Sequence, residues 1–382
     1  MNLTRTHLCA VLALAAALLS SSCKGFFTST SSGSSGNYVS GTGIPSMFAY
    51  TDNTGSGLGS VSAFKVGSDN TLATVSGSAF SAEDSNSRAV VTDSVGDYIY
   101  VADLGSATSA GSVDSFSINR TTGALTALNT LPVVASGASN PTALAIYGSS
   151  LYAAYENSSI GVGGAASVVG FTITSGVLQQ STLTPISIGT LAPTSMSIDP
   201  STGGFLYVTN GASIYAFTVS SGTLTQVGTA PLSLNDTPYQ IVVAPPSGKF
   251  AYVASGTAGV DALTINASTG ALTKIGTYST GGNAVALTVN PTGNWVYAVN
   301  SNTNKITGFT IGTTGALTAL SQSYSTGSSP SGITIGPSGT AVYVTNSGSN
   351  TVGLYTINAD GTLNFVNTYP TDVGPRSIVV TP

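Results

Sequence analysis

The chain has 382 residues and a formal net charge of −5, with 6% charged side chains against 41% apolar ones. An ordinary soluble domain is roughly 25% charged, and disordered chains are poor in apolar residues, so charge-driven disorder is excluded. Nucleic acid is excluded as a partner as well, because phosphate neutralisation needs clustered Lys and Arg and the chain has only nine of these against fourteen Asp and Glu.

From the N-terminus, residues 1–22 read as a signal peptide. Arg5 supplies a positive n-region, and Leu8 to Leu19 is an apolar run of 12 residues, too short for a bilayer span of about 20. Ser20-Ser21-Ser22-Cys23 follows. It resembles the lipobox of bacterial lipoproteins, although Ser20 stands where that motif prefers Leu, and the resemblance implies a lipidated Cys23. Signal-peptidase cleavage near Ser22, leaving Cys23 as a thiol, is the alternative. Residues 23–43 are rich in Ser, Gly and Thr, the composition of a flexible tether reaching roughly 25 Å. The expected address is the cell envelope, lipid-anchored at the outer membrane or facing the periplasm, and otherwise secreted or periplasmic. With Cys9 removed and Cys23 used, both Cys of the chain are spent, so the folded part relies on burial without disulfides.

Residues 44–382 are internally repetitive. A short apolar strand with a central Tyr recurs seven times, at Tyr50, Tyr100, Tyr152, Tyr207, Tyr252, Tyr297 and Tyr343, spaced by 50, 52, 55, 45, 45 and 46 residues. Another strand precedes most of these, joined by links such as Pro291-Thr292-Gly293 and Pro337-Ser338-Gly339. There Pro presets φ for a turn and Gly accepts the left-handed position after it. An alternating strand with two distinct faces follows each Tyr strand. Six of these lead to a Gly-x-Leu, at Gly123, Gly176, Gly222, Gly270, Gly315 and Gly361, with Asn70 in the place of Gly in the first repeat. A fourth strand closes each repeat.

Four strands repeated seven times predict an all-β chain, a seven-bladed β-propeller of four-stranded antiparallel blades. A stacked open solenoid is the alternative. The first repeat begins at its second strand, and the chain ends in Arg376-Ser-Ile-Val-Val-Thr-Pro382. This C-terminal strand is therefore expected to complete the first blade and close the ring. The repeated Tyr residues and Trp295 are expected to pack between blades, and Asn53, Asn210, Asn300 and Asn346, each at Tyr+3, to cap turns.

Tyr207–Asn210 and Tyr343–Asn346 both spell Tyr-Val-Thr-Asn. With the Pro-x-Gly hairpins and the Gly-x-Leu spacing, the chain resembles the YVTN-type propellers and the lactonase family of seven-bladed propellers over about residues 44–382. That family includes 6-phosphogluconolactonase and a cycloisomerase of carboxylated muconate lactones. The resemblance implies the propeller fold and points to lactone chemistry by ionisable groups at the channel mouth, His and Arg among them. Pro375-Arg376 resembles the Pro-Arg that opens inner strands in such propellers.

The only His of the chain is His7, inside the signal segment. A Ser-His-Asp triad, a zinc site built on His or Cys, and His general-base catalysis are therefore excluded from the mature protein. The Asp residues show no calcium-loop spacing, and no Gly-rich segment precedes a helix, so neither a metal nor a cofactor is expected. Aligned inner strands put Arg88, Thr142, Thr194, Tyr239, Ala284, Ser331 and Arg376 at one mouth. Second-strand ends add Asp52, Asp103, Tyr155 and Glu156 to the sector of blades one to three. In one reading Arg88 and Arg376 clamp a carboxylate or phosphate, Tyr155 and Tyr239 are further ligand contacts, and Glu156 or Asp103 is the general base. In the other, the two Arg pair with Asp52, Asp103, Glu83 or Asp84 and stitch the closure seam. The leading expectation for function is a monomeric binding module, tied to the membrane by its lipid, whose partner is an envelope protein, a glycan or a small anionic ligand. The alternative is a hydrolase opening a sugar or carboxylated lactone.

Overall fold

In a computed structural model of the protein, the described residues are 46–382 apart from 56, 83, 107–109, 129–137, 157–164, 181–184 and 235. The expected signal peptide, the tether, Cys23 and Glu83 lie outside the described residues. The described chain is all-β and contains no helix. It forms seven sheets, each built on a path of four antiparallel strands. In three blades the third strand also pairs with a two-residue piece, Phe80–Ser81, Ile186–Ser187 or Leu232–Ser233.

The inner strands make the ring. They are Pro375–Val380, Ser87–Thr92, Pro141–Tyr147, Pro193–Ile198, Gln240–Val243, Ala284–Val289 and Pro330–Ile335 for blades one to seven. Each packs against the next, and the last returns to the first. As expected, Pro375–Val380 pairs antiparallel with Phe48–Asn53 and completes blade one. Phe48 N donates to Thr381 Oγ1 at 2.9 Å, and Thr381 N donates back to Phe48 O at 2.8 Å.

The second strands are apolar on both faces because both faces are covered. Seven apolar clusters fill the seven seams, each drawing residues from two adjacent blades. Tyr297 enters the seam between blades six and seven while its neighbour Val296 enters the one between five and six. The recurring Tyr does more than fill space. Tyr50, Tyr207, Tyr252 and Tyr297 donate their hydroxyls to the carbonyls of Gly123, Gly270, Gly315 and Gly361 in the next blade, at 2.7–3.0 Å. Tyr343 reaches Asn70, at the same place in blade one. These turn residues all have positive φ, +84° at Gly361 and +67° at Asn70, a region Gly enters without strain and Asn tolerates. An added Cβ at Gly361 would strike the indole of Trp295, which confirms that Trp295 is inter-blade filling.

Candidate functional site at the channel mouth

Five inner strands carry an extra residue near their first position, where the pairing with the second strand slips. Such a bulge re-aims a side chain. The residues so placed include Arg88, Thr142, Thr194, Ser331 and Arg376. Blade six also slips, but between Ala284 and Ala286. Val285 is therefore the counterpart of the arginines, and the alignment on Ala284 is corrected by one residue. Tyr239, 39% exposed, sits just before the inner strand of blade five, separated from the arginines by the intervening blades.

The small polar residues of this ring are structural. Thr142 Oγ1 donates to Pro193 O at 2.9 Å, Thr194 Oγ1 to Pro238 O at 2.6 Å, and Ser331 Oγ to Pro375 O at 2.7 Å. Each hydroxyl thus satisfies the backbone of the following blade. Arg88 and Arg376 make no such bridge. They lie in adjacent blades and within range of each other's charge. Burial, and then the Arg376 cation, push the Arg88 guanidinium below its ordinary range, while Glu156 and Asp52 pull it back. Among the described residues neither arginine has a carboxylate within ion-pair distance.

Of the carboxylates expected to pair with them, Glu83 lies outside the described residues, and Asp52, Asp103 and Asp84 make other hydrogen bonds. Asp52 is fully buried, and its Oδ1 accepts from Ser377 N at 2.6 Å and Ser377 Oγ at 2.7 Å. Ser377 Oγ in turn accepts from Val90 N at 3.0 Å, so this chain joins blade one to blade two. Burial pushes Asp52 up to about 6 against the pull of Ser377 and Arg376. Asp103 is fully buried too, and Ser87 Oγ donates to its Oδ1 at 2.5 Å. Burial first, and then the neighbouring Asp114, push Asp103 up to about 9. Both effects favour the protonated carboxyl, which works against Asp103 as a general base. Asp84 Oδ1 accepts from Ser85 N at 2.8 Å.

Glu156 is the other residue expected as a general base. It directly follows the second strand of blade three, is half-buried, and its Oε1 accepts from Asn140 Nδ2 at 3.3 Å. Its charge reaches Arg88. Tyr155, one residue earlier, is 1% exposed and packs in the seam between blades two and three. It is a core residue, and its expected place among the ligand contacts is corrected accordingly. Arg376, Glu156 and Asp52 all act on the Arg88 charge, and Asp52 and Asp103 are fully buried. Sequence reading missed Ser377, Asn140 and Asp114, whose roles depend on strand register. No group of three or more His, Cys, Asp or Glu among the described residues is arranged to hold a metal ion.

The family model described as Lactonase, 7-bladed beta-propeller matches residues 201–330 and 319–382. No curated protein matches the chain in sequence. Solved structures share the fold. A candidate 6-phosphogluconolactonase from Bacteroides fragilis aligns with a TM-score of 0.74 at 20% identity, over 90% of this chain and 99% of that one. A protein from Lactobacillus plantarum aligns at 0.73 with 19% identity, covering 89% and 100%. The periplasmic gluconolactonase PpgL of Pseudomonas aeruginosa gives 0.70 at 18% identity, covering 88% and 99%.

Proposed function

We propose that this seven-bladed propeller, whose residues 201–382 match the lactonase family model and whose fold is shared with gluconolactonase-type structures, opens lactones at the mouth framed by Arg88, Arg376 and Glu156. The observation that carries this reading is two arginines on adjacent blades that have no carboxylate within ion-pair distance among the described residues, with one half-buried glutamate acting on Arg88. The arginines hold an anionic substituent of the substrate, a carboxylate or phosphate, and place its ring carbonyl beside a guanidinium. The Glu156 carboxylate takes a proton from water as the water oxygen bonds to the acyl carbon. The resulting oxyanion is stabilised by guanidinium charge in a site partly closed to solvent. Collapse breaks the acyl–oxygen bond of the ring, and Glu156 returns its proton to the departing alkoxide. The product is the open hydroxy acid. Export and acylation at Cys23 would put this activity at the envelope.

The test is hydrolysis of gluconolactone, 6-phosphogluconolactone and a carboxylated muconolactone by the full chain, with the spontaneous rate subtracted. Glu156→Gln is expected to lower kcat by about a hundredfold, the usual worth of a positioned base. Arg88→Ala and Arg376→Ala are expected to raise KM for the anionic lactones much more than for gluconolactone. If the wild-type chain shows no turnover but binds the carboxylates, the site is a binding module and the hydrolytic reading fails.

A further inference from the structure

A second concavity lies at the rim, far along the blades from the channel. It runs between the outer strand of blade six, Leu317–Ser325, and the third and outer strands of blade seven, Thr351–Ile357 and Leu363–Pro370. Its volume is about 520 Å³, and Tyr324, Tyr355, Phe365, Ser325, Thr326 and Thr368 are among its walls. This falls in the range of sites that take small organic ligands.

The aromatic walls are set in advance. Tyr355 is almost fully buried, and its hydroxyl crosses the seam to donate to Ser325 O at 2.7 Å. Phe365 packs on it edge to face, with ring centroids 5.5 Å apart at 65°. Tyr324 OH accepts from Gln322 Nε2 at 3.2 Å. The register of blade seven slips between Leu354 and Tyr355, leaving Val366 as an extra residue beside Phe365. Phe365 is 59% exposed, an apolar ring held in water on a rigid edge. No charged side chain lines the groove.

We propose that this groove binds a neutral saccharide. A pyranose presents apolar C–H faces and a rim of hydroxyls, which matches flat rings flanked by Ser and Thr. The lining argues against the other occupants. An anion would be desolvated with no cation to receive it, and an apolar segment would bury the Ser325 and Thr368 hydroxyls without partners, whereas Thr326 Oγ1 already donates to Gly327 O at 2.8 Å. Exposed aromatics with few rotamers lose little entropy on contact. The proposal is independent of the lactone chemistry at the mouth.

The test titrates the full chain with cellohexaose, maltohexaose and N-acetylchitohexaose by calorimetry. At least one is expected to bind with a Kd of about a millimolar or tighter. Phe365→Ala should weaken that binding by about tenfold, in line with loss of an anchoring aromatic. Arg88→Ala, at the channel mouth, should leave it unchanged. Thr368→Val gives a second, independent probe that keeps the side-chain volume, and should weaken binding severalfold. Binding to none of the three sugars overturns the proposal. So does wild-type affinity in both groove variants, or a Phe365→Ala effect on self-association in place of sugar binding.

Discussion

Asp103 shows how one side chain can change the electrostatics of a repeat. It stands at Tyr+3 in blade two, the place held by Asn53, Asn210, Asn300 and Asn346 in blades one, four, six and seven. The amides of Asn53 and Asn300 donate to hydroxyls of the third strand, Ser62 Oγ at 3.1 Å and Thr307 Oγ1 at 3.1 Å. In blade two the third strand offers Asp114, and two buried carboxyls meet. Blade five holds Asp261 at the place of Asp114, but there Lys274 Nζ lies 2.8 Å away and Thr277 Oγ1 donates at 2.6 Å. One blade neutralises its buried acid with a cation and the other with a proton. The sign of the pH effect follows. The native state holds a proton on Asp103 that the unfolded chain releases near pH 4, so its stability falls as pH rises from there to about 9. The slope is at most about 1.4 kcal/mol per pH unit. Asp103→Asn should therefore raise Tm at pH 8, and the gain should shrink toward pH 4. Equal gains at both pH values would show that Asp103 is ionised in the fold.

That substitution also marks how far the sequence could be read. The Tyr+3 column is visible in the repeat, and it identifies Asp103 as an Asn replacement inside a blade. Asp114 is not visible as its partner, because their meeting depends on strand register. Glu156 and the two arginines could be placed near one mouth from the repeat spacing. That Asp52 does not pair with the arginines could not be read, since its Oδ1 accepts from Ser377, 325 residues away along the chain.

Between blades the informative unit is the Tyr strand with the Gly turn that follows it one repeat later. Both columns are legible in the sequence, but their bond is not, since Tyr297 and Gly361 are 64 residues apart. The latch is also uneven around the ring. The hydroxyls of Tyr100 and Tyr152 are buried and neither donates to a carbonyl of the next blade among the described residues, Tyr152 having only Ser150 of its own blade beside it. Blade three has Ser150 where Phe205 and Trp295 stand in blades four and six, and a Cβ at Gly222 would meet nothing within 4 Å. The seams from blade two to three and from three to four thus lack the bond that most others have. Removing the phenol should separate these two classes. Tyr297→Phe leaves the buried Gly361 carbonyl without its donor and should cost about 1–3 kcal/mol. Tyr100→Phe loses no bond and should be neutral or slightly stabilising, because a buried unpaired hydroxyl is itself unfavourable. Chemical denaturation of the two variants measures the difference, and equal costs would show that the phenol contributes only through packing.

At the scale of the whole ring, stability depends on one strand arriving last. Pro375–Val380 is flanked by the inner strands of blades seven and two and paired to blade one. Without it, Phe48–Asn53 becomes an open sheet edge and two apolar seams lose a wall. Deleting residues 375–382 should therefore destabilise every blade, since each seam is held by closure, and the product should melt without a cooperative transition. Truncation alone does not separate ring topology from simple loss of apolar burial, but moving the strand does. Ala49 pairs with Val380, so the end of the closing strand lies beside the start of the second strand of blade one. A turn of a few residues joining Pro382 to Ser46 would copy the hairpin found between inner and second strands in the other blades. A chain permuted to begin at Gly374 and end at Val373, with 1–45 removed, should fold as a monomer with a single cooperative transition near that of the parent. If the permuted chain behaved like the truncated one, closure would depend on the native order of synthesis, and the strand-exchange account of blade one would fail.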